Sequence, residues 1–257
     1  TFTVSDGTTT TSSTITFTVN GANDAPTASN NTVTTNEDTT YTFTADDFNF
    51  SDVDGDTLSS VTVSALSGSD GTFSLNGTAI TGSTTVTKTQ IDNGQLTFAP
   101  DSNENGSNYN TFTFTVNDGT TNSSSTYTMT VDVTAVNDAP TASNNTVTTN
   151  EDTDHTFAAS EFGFTDVDGD SLDHVTIETL PSNGTLLLSG VAVSAGDEIS
   201  AADITNLVFR PAANANGSDY DSFTFSVNDG TADSSSTYTM TVDVTAVNDA
   251  PTVVNDT

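Results

Sequence analysis

Thr111-Phe-Thr-Phe-Thr-Val116 and Tyr127-Thr-Met-Thr-Val-Asp-Val133 alternate apolar and polar side chains without a break. A period of two marks strands with one buried face, so Phe112, Phe114, Val116, Met129 and Val131 are predicted to point into a core and the threonines into water. Shorter runs of the same kind are Tyr41-Thr-Phe43, Val61-Thr-Val63 and Leu96-Thr-Phe98. Turn dipeptides separate such runs: Asp70-Gly71, Asn76-Gly77, Asn93-Gly94, Asp118-Gly119, Asn183-Gly184 and Asp229-Gly230. The only helical signal is short, Ala201-Ala-Asp-Ile-Thr-Asn-Leu207.

The chain repeats itself. NDAPTASNNTVTTNEDT occurs at Asn23–Thr39 and again, unchanged, at Asn137–Thr153. SSSTYTMTVDVTAVNDAPT occurs at Ser123–Thr141 and at Ser234–Thr252. Thr1–Gly7 parallels Thr113–Gly119 and starts in mid-pattern with no leader-like stretch, which predicts a piece of something longer. The expected layout is the end of a preceding repeat at 1–22, repeats at 23–136 and 137–247, and the opening of another at 248–257. Units of this length fold as independent domains. About seven short strands in about 110 residues predict an all-β fold, a Greek-key β-sandwich of immunoglobulin type without its Cys–Trp–Cys hallmark. Pro26, Pro140 and Pro251 follow the repeat junctions, where each stiffens the linker and stops a strand from continuing.

Composition narrows the function. Thirty-five acidic residues face Lys88 and Arg210, for a formal net charge of −33. Such a chain cannot neutralise phosphates, which excludes nucleic acid as a main partner, and anionic lipid surfaces repel it equally. No apolar run is long enough for a membrane span, so no membrane insertion is expected. Without cysteine there are no disulfides and no thiolate metal sites. Apolar residues make up only 32% of the chain, yet the 15 Phe and 5 Tyr are not scattered and much of the polar remainder is strand-forming Thr, which argues for folding over disorder.

Certain carboxylates recur in both repeats. Asp52-Val-Asp-Gly-Asp56 matches Asp166-Val-Asp-Gly-Asp170, Glu37 matches Glu151, and Asp118 matches Asp229. Asn23-Asp24, Asn137-Asp138 and Asn248-Asp249 stand at the junctions, whereas Asp101 and Glu104 become Ala212 and Ala215 and are set aside. Three carboxylates in five residues repel one another unless a cation lies between them, and oxygen-only ligands select Ca²⁺. An EF-hand is excluded. The turn glycine falls at the wrong loop position, and Val63 or Ile177 stands where its bidentate Glu is needed.

Ala135–Pro140, AVNDAP, resembles the DxNDNxP linker of cadherins, with Ala135 in place of the first Asp. The intervals from Asp24 to Glu37, Asp52 and Asp54, and from Asp118 to Asp138, are similar to those of cadherin repeats. Asn103–Gly119, Asn214–Gly230 and FxDVDGDxL resemble bacterial cadherin-like repeats of large secreted adhesins of the repeats-in-toxin class. The resemblance implies Ca²⁺ at domain junctions. At the first junction Asn23, Asp24, Asp52, Asp54 and Asp118 would hold it, with Asp56 as an extra or turn residue. At the second, Glu37 from the domain before would join Asn137, Asp138, Asp166, Asp168 and Asp229, with Asp170 beside them. Glu151, Asn248 and Asp249 would begin the third set. The absent first Asp implies fewer ions than cadherins carry.

Three function classes are weighed. His155 and His174 belong to one repeat only and read as solvated surface residues, so no repeated acid–base or nucleophilic site exists and an enzyme is not expected. Carbohydrate binding or cell–cell recognition is the alternative, with Tyr109 and Tyr220 as candidate contacts and surface glycans or other cells as partners. The expected role is that of a calcium-stiffened extender in an extracellular bacterial surface adhesin, supporting adhesion or biofilm formation. Its partners would then be the neighbouring repeats of the same chain.

Overall fold

The computed structural model describes residues 1–250; of the expected opening segment 248–257, Pro251 and the residues after it lie outside the described residues. The chain divides into two compact units, Thr1–Ala135 and one beginning at Val136. Each contains the same pair of sheets.

In the first unit a five-stranded sheet runs in the order Asn31–Asn36, Tyr127–Thr134, Gly106–Asn117, Ser60–Val63, Thr84–Thr87. A four-stranded sheet runs Tyr41–Thr42, Leu96–Ala99, Thr72–Leu75, Thr78–Ala79. The first strand pairs parallel with the last, and the remaining ladders are antiparallel. The second unit repeats this with Asn145–Asn150, Tyr238–Thr245, Gly217–Asn228, His174–Ile177 and Glu198–Ser200 in one sheet. His155–Thr156, Leu207–Pro211, Gly184–Leu188 and Val191–Ala192 form the other. Both units are Greek-key sandwiches.

The inward residues of the alternating runs close the core. Phe112 stacks on Phe73 of the opposite sheet at 4.4 Å and meets the edge of Phe43 at 5.5 Å. In the second unit Phe223 meets Phe157 at 5.6 Å, and Leu186 replaces Phe73. Aromatic rings bury large areas for few residues, so a chain poor in apolar residues still fills a sandwich. Gly71 and Gly184 lie beneath the rings of Phe98 and Phe209, where a β-carbon would collide with ring and backbone.

Helical turns differ from expectation. Ala201–Leu207 yields only a 3₁₀ turn at Ile204–Asn206, while the first unit forms an α-helix at Lys88–Asp92. That helix rests on a reciprocal cap. Thr87 Oγ1 accepts from the Gln90 N–H at 3.2 Å, and Gln90 Oε1 accepts from the Thr87 N–H at 2.9 Å. Further 3₁₀ turns at Ala45–Phe48 and Ala159–Phe162 bury Phe48 and Phe162. Their first turns are tied by Asp47 and Glu161, which accept from the N–H of Thr44 and Ala158 at 2.7 and 2.9 Å.

The histidines are half-buried rather than solvated. His155 lies edge-on to Phe157 with Nε2 3.2 Å from Glu161 Oε2, and His174 Nδ1 lies 2.9 Å from Asp173 Oδ2.

At the start of the chain, Phe2–Ser5 pairs with Thr10–Ser13 in the register Phe2↔Ser13. The matching strands of the first sandwich pair Phe114↔Tyr127, and the counterpart of Tyr127, Ile15, falls beyond the hairpin. Phe17 and Val19, aligned with buried Met129 and Val131, are 84% and 91% exposed. The second face of a sandwich is what selects between registers, and here no such face covers them.

Asp221 provides a test of the polar interior. It is buried and accepts from the N–H of Ser182, Asn183, Gly184 and Ser222 at 2.9, 2.6, 2.7 and 2.9 Å. Burial alone would raise its pKa, but these donors outweigh it and hold the carboxyl below its ordinary value. Asn110 takes the same place in the first unit. Asp221→Ala should destabilise the second unit by about 2–4 kcal/mol, because it leaves buried N–H groups unpaired. Since the folded pKa is depressed, the wild-type contribution is complete above the ordinary carboxyl pKa and is lost as pH falls through the folded one. Urea unfolding at neutral and acidic pH should show the wild-type–variant gap closing on acidification.

Candidate metal centre

The DVDGD loops follow the 3₁₀ turns and lead into Ser60–Val63 and His174–Ile177. Gly55 and Gly169, at φ +85° and +84°, let each loop fold back on itself. In the first unit Asp52 Oδ1 accepts from the N–H of Asp54 at 2.8 Å and of Asp56 at 3.3 Å. The second oxygen, Oδ2, is buried and has no hydrogen-bond partner. Asp54 Oδ2 accepts from the Asp24 N–H at 2.7 Å, which ties the loop to the linker. Asn23 Nδ2 donates to Asp118 Oδ2 and to the Asp24 carbonyl, both at 2.9 Å. Asp118 Oδ1 in turn accepts from the N–H of Thr120 and Thr121, both at 2.6 Å.

The second unit reproduces most of this arrangement, without a counterpart of the Asp54 N–H to Asp52 bond. Asp168 Oδ2 accepts from the Asp138 N–H at 2.7 Å, and Asn137 Nδ2 donates to Asp229 Oδ2 at 3.0 Å. Asp166 Oδ1 accepts from the Asp170 N–H at 3.1 Å, and its Oδ2 is buried without a partner. Carboxylate oxygens of Asp166, Asp168 and Asp170 lie within 4.8 Å of one another. Among the described residues no lysine, arginine or histidine forms an ion pair with Asp52, Asp54, Asp118, Asp166, Asp168 or Asp229.

Glu37 and Glu151 lie elsewhere in their units. Each follows the first strand, and its N–H bonds the last residue of the final strand, Thr134 or Thr245. The Gly106–Asn117 strand runs antiparallel to Tyr127–Thr134, with Gly106 opposite Val133. Asp118 therefore sits at one end of the sheet and Glu37 at the other. Both glutamates are buried, at 3% and 6% exposure, and their Oε2 atoms accept from Asn105 and Asn216 at 3.1 and 2.8 Å. The structure thus brings Asn23, Asp24, Asp52, Asp54, Asp56 and Asp118 together, as it does Asn137, Asp138, Asp166, Asp168, Asp170 and Asp229. Of the third set, Asn248 donates to the Asp249 carbonyl at 3.0 Å, as Asn23 and Asn137 do within their own linkers.

Two features escaped the sequence reading. Asn105 and Asn216 act as clamps on the glutamates, and their signal was the repeated NxNGS motif. Asp101 and Glu104, set aside for lack of a counterpart, share a surface cluster with Asp70. All three are exposed, and Glu104 accepts from the Tyr109 hydroxyl at 2.9 Å. Tyr220 donates instead to the Asn183 carbonyl at 2.9 Å. Both tyrosine hydroxyls are thereby engaged within their own domains.

The family model described as "Bacterial Ig domain" matches residues 23–134 and 137–245. The chain belongs to this family. It comprises two bacterial Ig-like domains in tandem. No curated protein matches the chain. Among solved structures it is similar to Drosophila N-cadherin EC1-4, at 15% identity over 87% of this chain and 50% of that one, with a TM-score of 0.42. Cadherin domains 1–4 of protocadherin gamma B7 give 12% identity, 88% and 52% coverage, and a TM-score of 0.42. The endo-fucoidan hydrolase MfFcnA4 gives 19% identity, 90% and 30% coverage, and a TM-score of 0.29. The chain thus spans about a third of the hydrolase and about half of each cadherin fragment. No helix among the described residues is long and apolar enough to cross a membrane.

Asp118 reports on the site without any metal. The Asn23 amide is the main cause holding its carboxyl below the ordinary value, aided by the Thr121 and Thr120 N–H groups. Asn23→Ala should therefore move the Asp118 titration upward, as followed by carboxyl carbon chemical shifts in metal-free buffer. An unchanged titration would show that the backbone donors alone set the charge state.

Proposed function

We propose that this chain is a calcium-binding extender segment of an extracellular bacterial adhesin, with Ca²⁺ at the Asn-Asp linker end of each Ig-like domain. The observation that carries the reading is the buried, unpartnered Oδ2 of Asp52 and Asp166, at matching places in two domains. A buried carboxylate oxygen without a donor costs free energy, and a cation is the partner that removes the cost. The surrounding donor set consists of carboxylate, amide and carbonyl oxygens, which fits Ca²⁺ and does not fit zinc or copper. Asp52, Asp54, Asp118, Asn23 and Asp24 would hold one site and Asp166, Asp168, Asp229, Asn137 and Asp138 the other, with Asp56 and Asp170 as additional ligands.

Glu37 and Glu151, at the outgoing end of their domains, would complete the site of the domain that follows, Glu151 together with Asn248 and Asp249. A cation with ligands on both sides of a linker restrains angle as well as stability. Extracellular calcium is millimolar, in the range where extracellular modules bind with Kd of about 10⁻⁴–10⁻³ M. Near-copied domains suit a spacer, in which number and stiffness matter more than a unique site. Engagement of the Tyr109 and Tyr220 hydroxyls within their own domains weighs against their serving as glycan contacts. A tandem Ig-like architecture, with no repeated histidine site, supports a non-enzymatic role.

Calcium should raise the melting temperature and a chelator should lower it, by about 1–3 kcal/mol of stability when calcium exceeds its Kd by ten- to a hundredfold. Asp166→Asn should invert in sign between the two conditions. It relieves repulsion in chelator and so stabilises the second domain, whereas in calcium it removes a ligand and destabilises it. A destabilisation of equal size in both conditions would mark Asp166 as a turn residue only.

The joint is tested separately. In calcium, Asp166→Asn with Asp168→Asn should broaden the range of shapes recorded by small-angle scattering while far-ultraviolet circular dichroism stays unchanged. Equal scattering from parent and variant would leave the linker proline and direct domain packing as the source of stiffness.

A further inference from the structure

Six Asn-Gly dipeptides occur in the chain, at Asn20, Asn76, Asn93, Asn105, Asn183 and Asn216, and the fold treats them unequally. Asn-Gly is the dipeptide in which the following backbone nitrogen most readily reaches the side-chain carbonyl carbon, because glycine puts no side chain in the way. Attack requires a free glycine N–H and a side-chain amide able to turn toward it.

Four pairs are held back. Gly94 donates its N–H to the Ile91 carbonyl at 2.8 Å at the end of the short helix. Gly184 donates to Asp221 Oδ2 at 2.7 Å, and Asn183 Nδ2 donates to the Tyr220 carbonyl at 3.2 Å. Asn105 and Asn216 are fixed through Nδ2 to Glu37 and Glu151, and the glycines after them lie within the long Gly106–Asn117 and Gly217–Asn228 strands. Two pairs are open. Asn76 and Gly77, at φ +50° and +74°, form the exposed two-residue turn between Thr72–Leu75 and Thr78–Ala79. The Asn76 backbone N–H donates to the Gln95 carbonyl at 2.8 Å, but neither its side-chain amide nor the Gly77 N–H makes a hydrogen bond. Asn20 and Gly21 are exposed, belong to no strand, and likewise make none.

We propose that Asn20 and Asn76 are this chain's sites of spontaneous deamidation. The glycine nitrogen bonds to the asparagine Cγ, the Cγ–Nδ2 bond breaks, and ammonia leaves with the glycine's proton. The resulting five-membered imide is then opened by water at either carbonyl, giving aspartate or isoaspartate. No oxidant, enzyme or cofactor enters. Asn20, outside any strand, converts ahead of Asn76, whose turn must first open. Each event adds a negative charge, and isoaspartate at position 20 also inserts a backbone carbon three residues before Asn23. The second domain lacks the turn site, since Ser189-Gly190 occupies the corresponding hairpin at φ +51° and +83°.

The test is incubation of the whole folded chain in mildly alkaline buffer, followed by peptide mapping with isoaspartate detection, beside a sample unfolded in urea. In the folded chain Asn20 and then Asn76 should convert, with the other four slower by about tenfold, the factor expected where an ordinary hydrogen bond must first break. In urea all six should convert at similar rates. Conversion of Asn93, Asn105, Asn183 or Asn216 in the folded chain as fast as Asn76 would overturn the proposal. So would an intact Asn20 and Asn76 while the unfolded sample reacts. Asn20→Ser with Asn76→Ser, the second copying Ser189, should abolish the early isoaspartate without changing the circular dichroism spectrum.

Discussion

Lys88 and Arg210 are the chain's only fixed positive charges, and both are engaged locally. Lys88 pairs with Asp92 at 2.7 Å, and Arg210 makes a two-pronged contact with Asp154 at 2.7 and 2.9 Å. The remaining carboxylates have no lysine or arginine to pair with, and the fold meets several of them with backbone N–H groups. Asp118 and Asp229 close turns after the long strands, Asp47 and Glu161 close 3₁₀ turns, and Asp221 gathers four N–H groups under the sheet. A carboxylate that accepts two or more N–H bonds organises a loop much as a cation would organise the carboxylates, with the roles exchanged. Against this pattern, Oδ2 of Asp52 and of Asp166 stand out as buried oxygens to which no donor has been assigned.

The same economy governs the core. Threonine supplies the outward face of nearly every strand, so β-propensity is obtained without apolar surface. The inward face relies on phenylalanine pairs across the sheets. This is why a chain at 32% hydrophobic residues makes two filled sandwiches, each with fully buried rings such as Phe43, Phe112, Phe157 and Phe223. The leading hairpin carries the same alternation with no opposite sheet, and its register shifts and its apolar residues stay exposed. Alternation therefore specifies which residues can face inward, and the second sheet decides whether they do.

That division explains what could be read from the chain and what could not. Strands with period-two patterning and the repeat unit follow from local sequence and copied spacing, whereas the grouping of linker Asn-Asp with DVDGD came from the resemblance to cadherin repeats. The Lys88–Asp92 helix was missed because its signal is a Thr87–Gln90 cap around one buried apolar residue, Ile91, too short for helical periodicity to register. His155 was misread because its burial depends on Phe157 and Glu161 meeting it in space. Asp70, Asp101 and Glu104 converge only through the fold, and no counterpart in the second repeat pointed to them. The pinning of Glu37 by Asn105 links residues far apart in sequence, although both motifs were visible separately.

Comparison of the two domains separates what the fold tolerates from what its ends require. In the body, Phe73 becomes Leu186, Tyr41 becomes His155, Asn110 becomes Asp221 and the Asn76 turn becomes Ser189, each with local compensation. Tyr41, for instance, donates its hydroxyl to Asp47 at 3.2 Å where His155 meets Glu161. At the ends a set of polar pairs is kept. The Asn23–Asp118 and Asn137–Asp229 bonds, the Asp24–Asp54 and Asp138–Asp168 bonds, and the two asparagine clamps on glutamate recur at distances within a few tenths of an ångström. A sandwich needs its core filled, and several side chains can fill it. Repeated polar geometry at both termini of a domain is not needed to fill that core. Those contacts therefore follow from the copied Asn-Asp linkers, DVDGD loops and Asn-Gly-Ser segments, and not from the demands of packing.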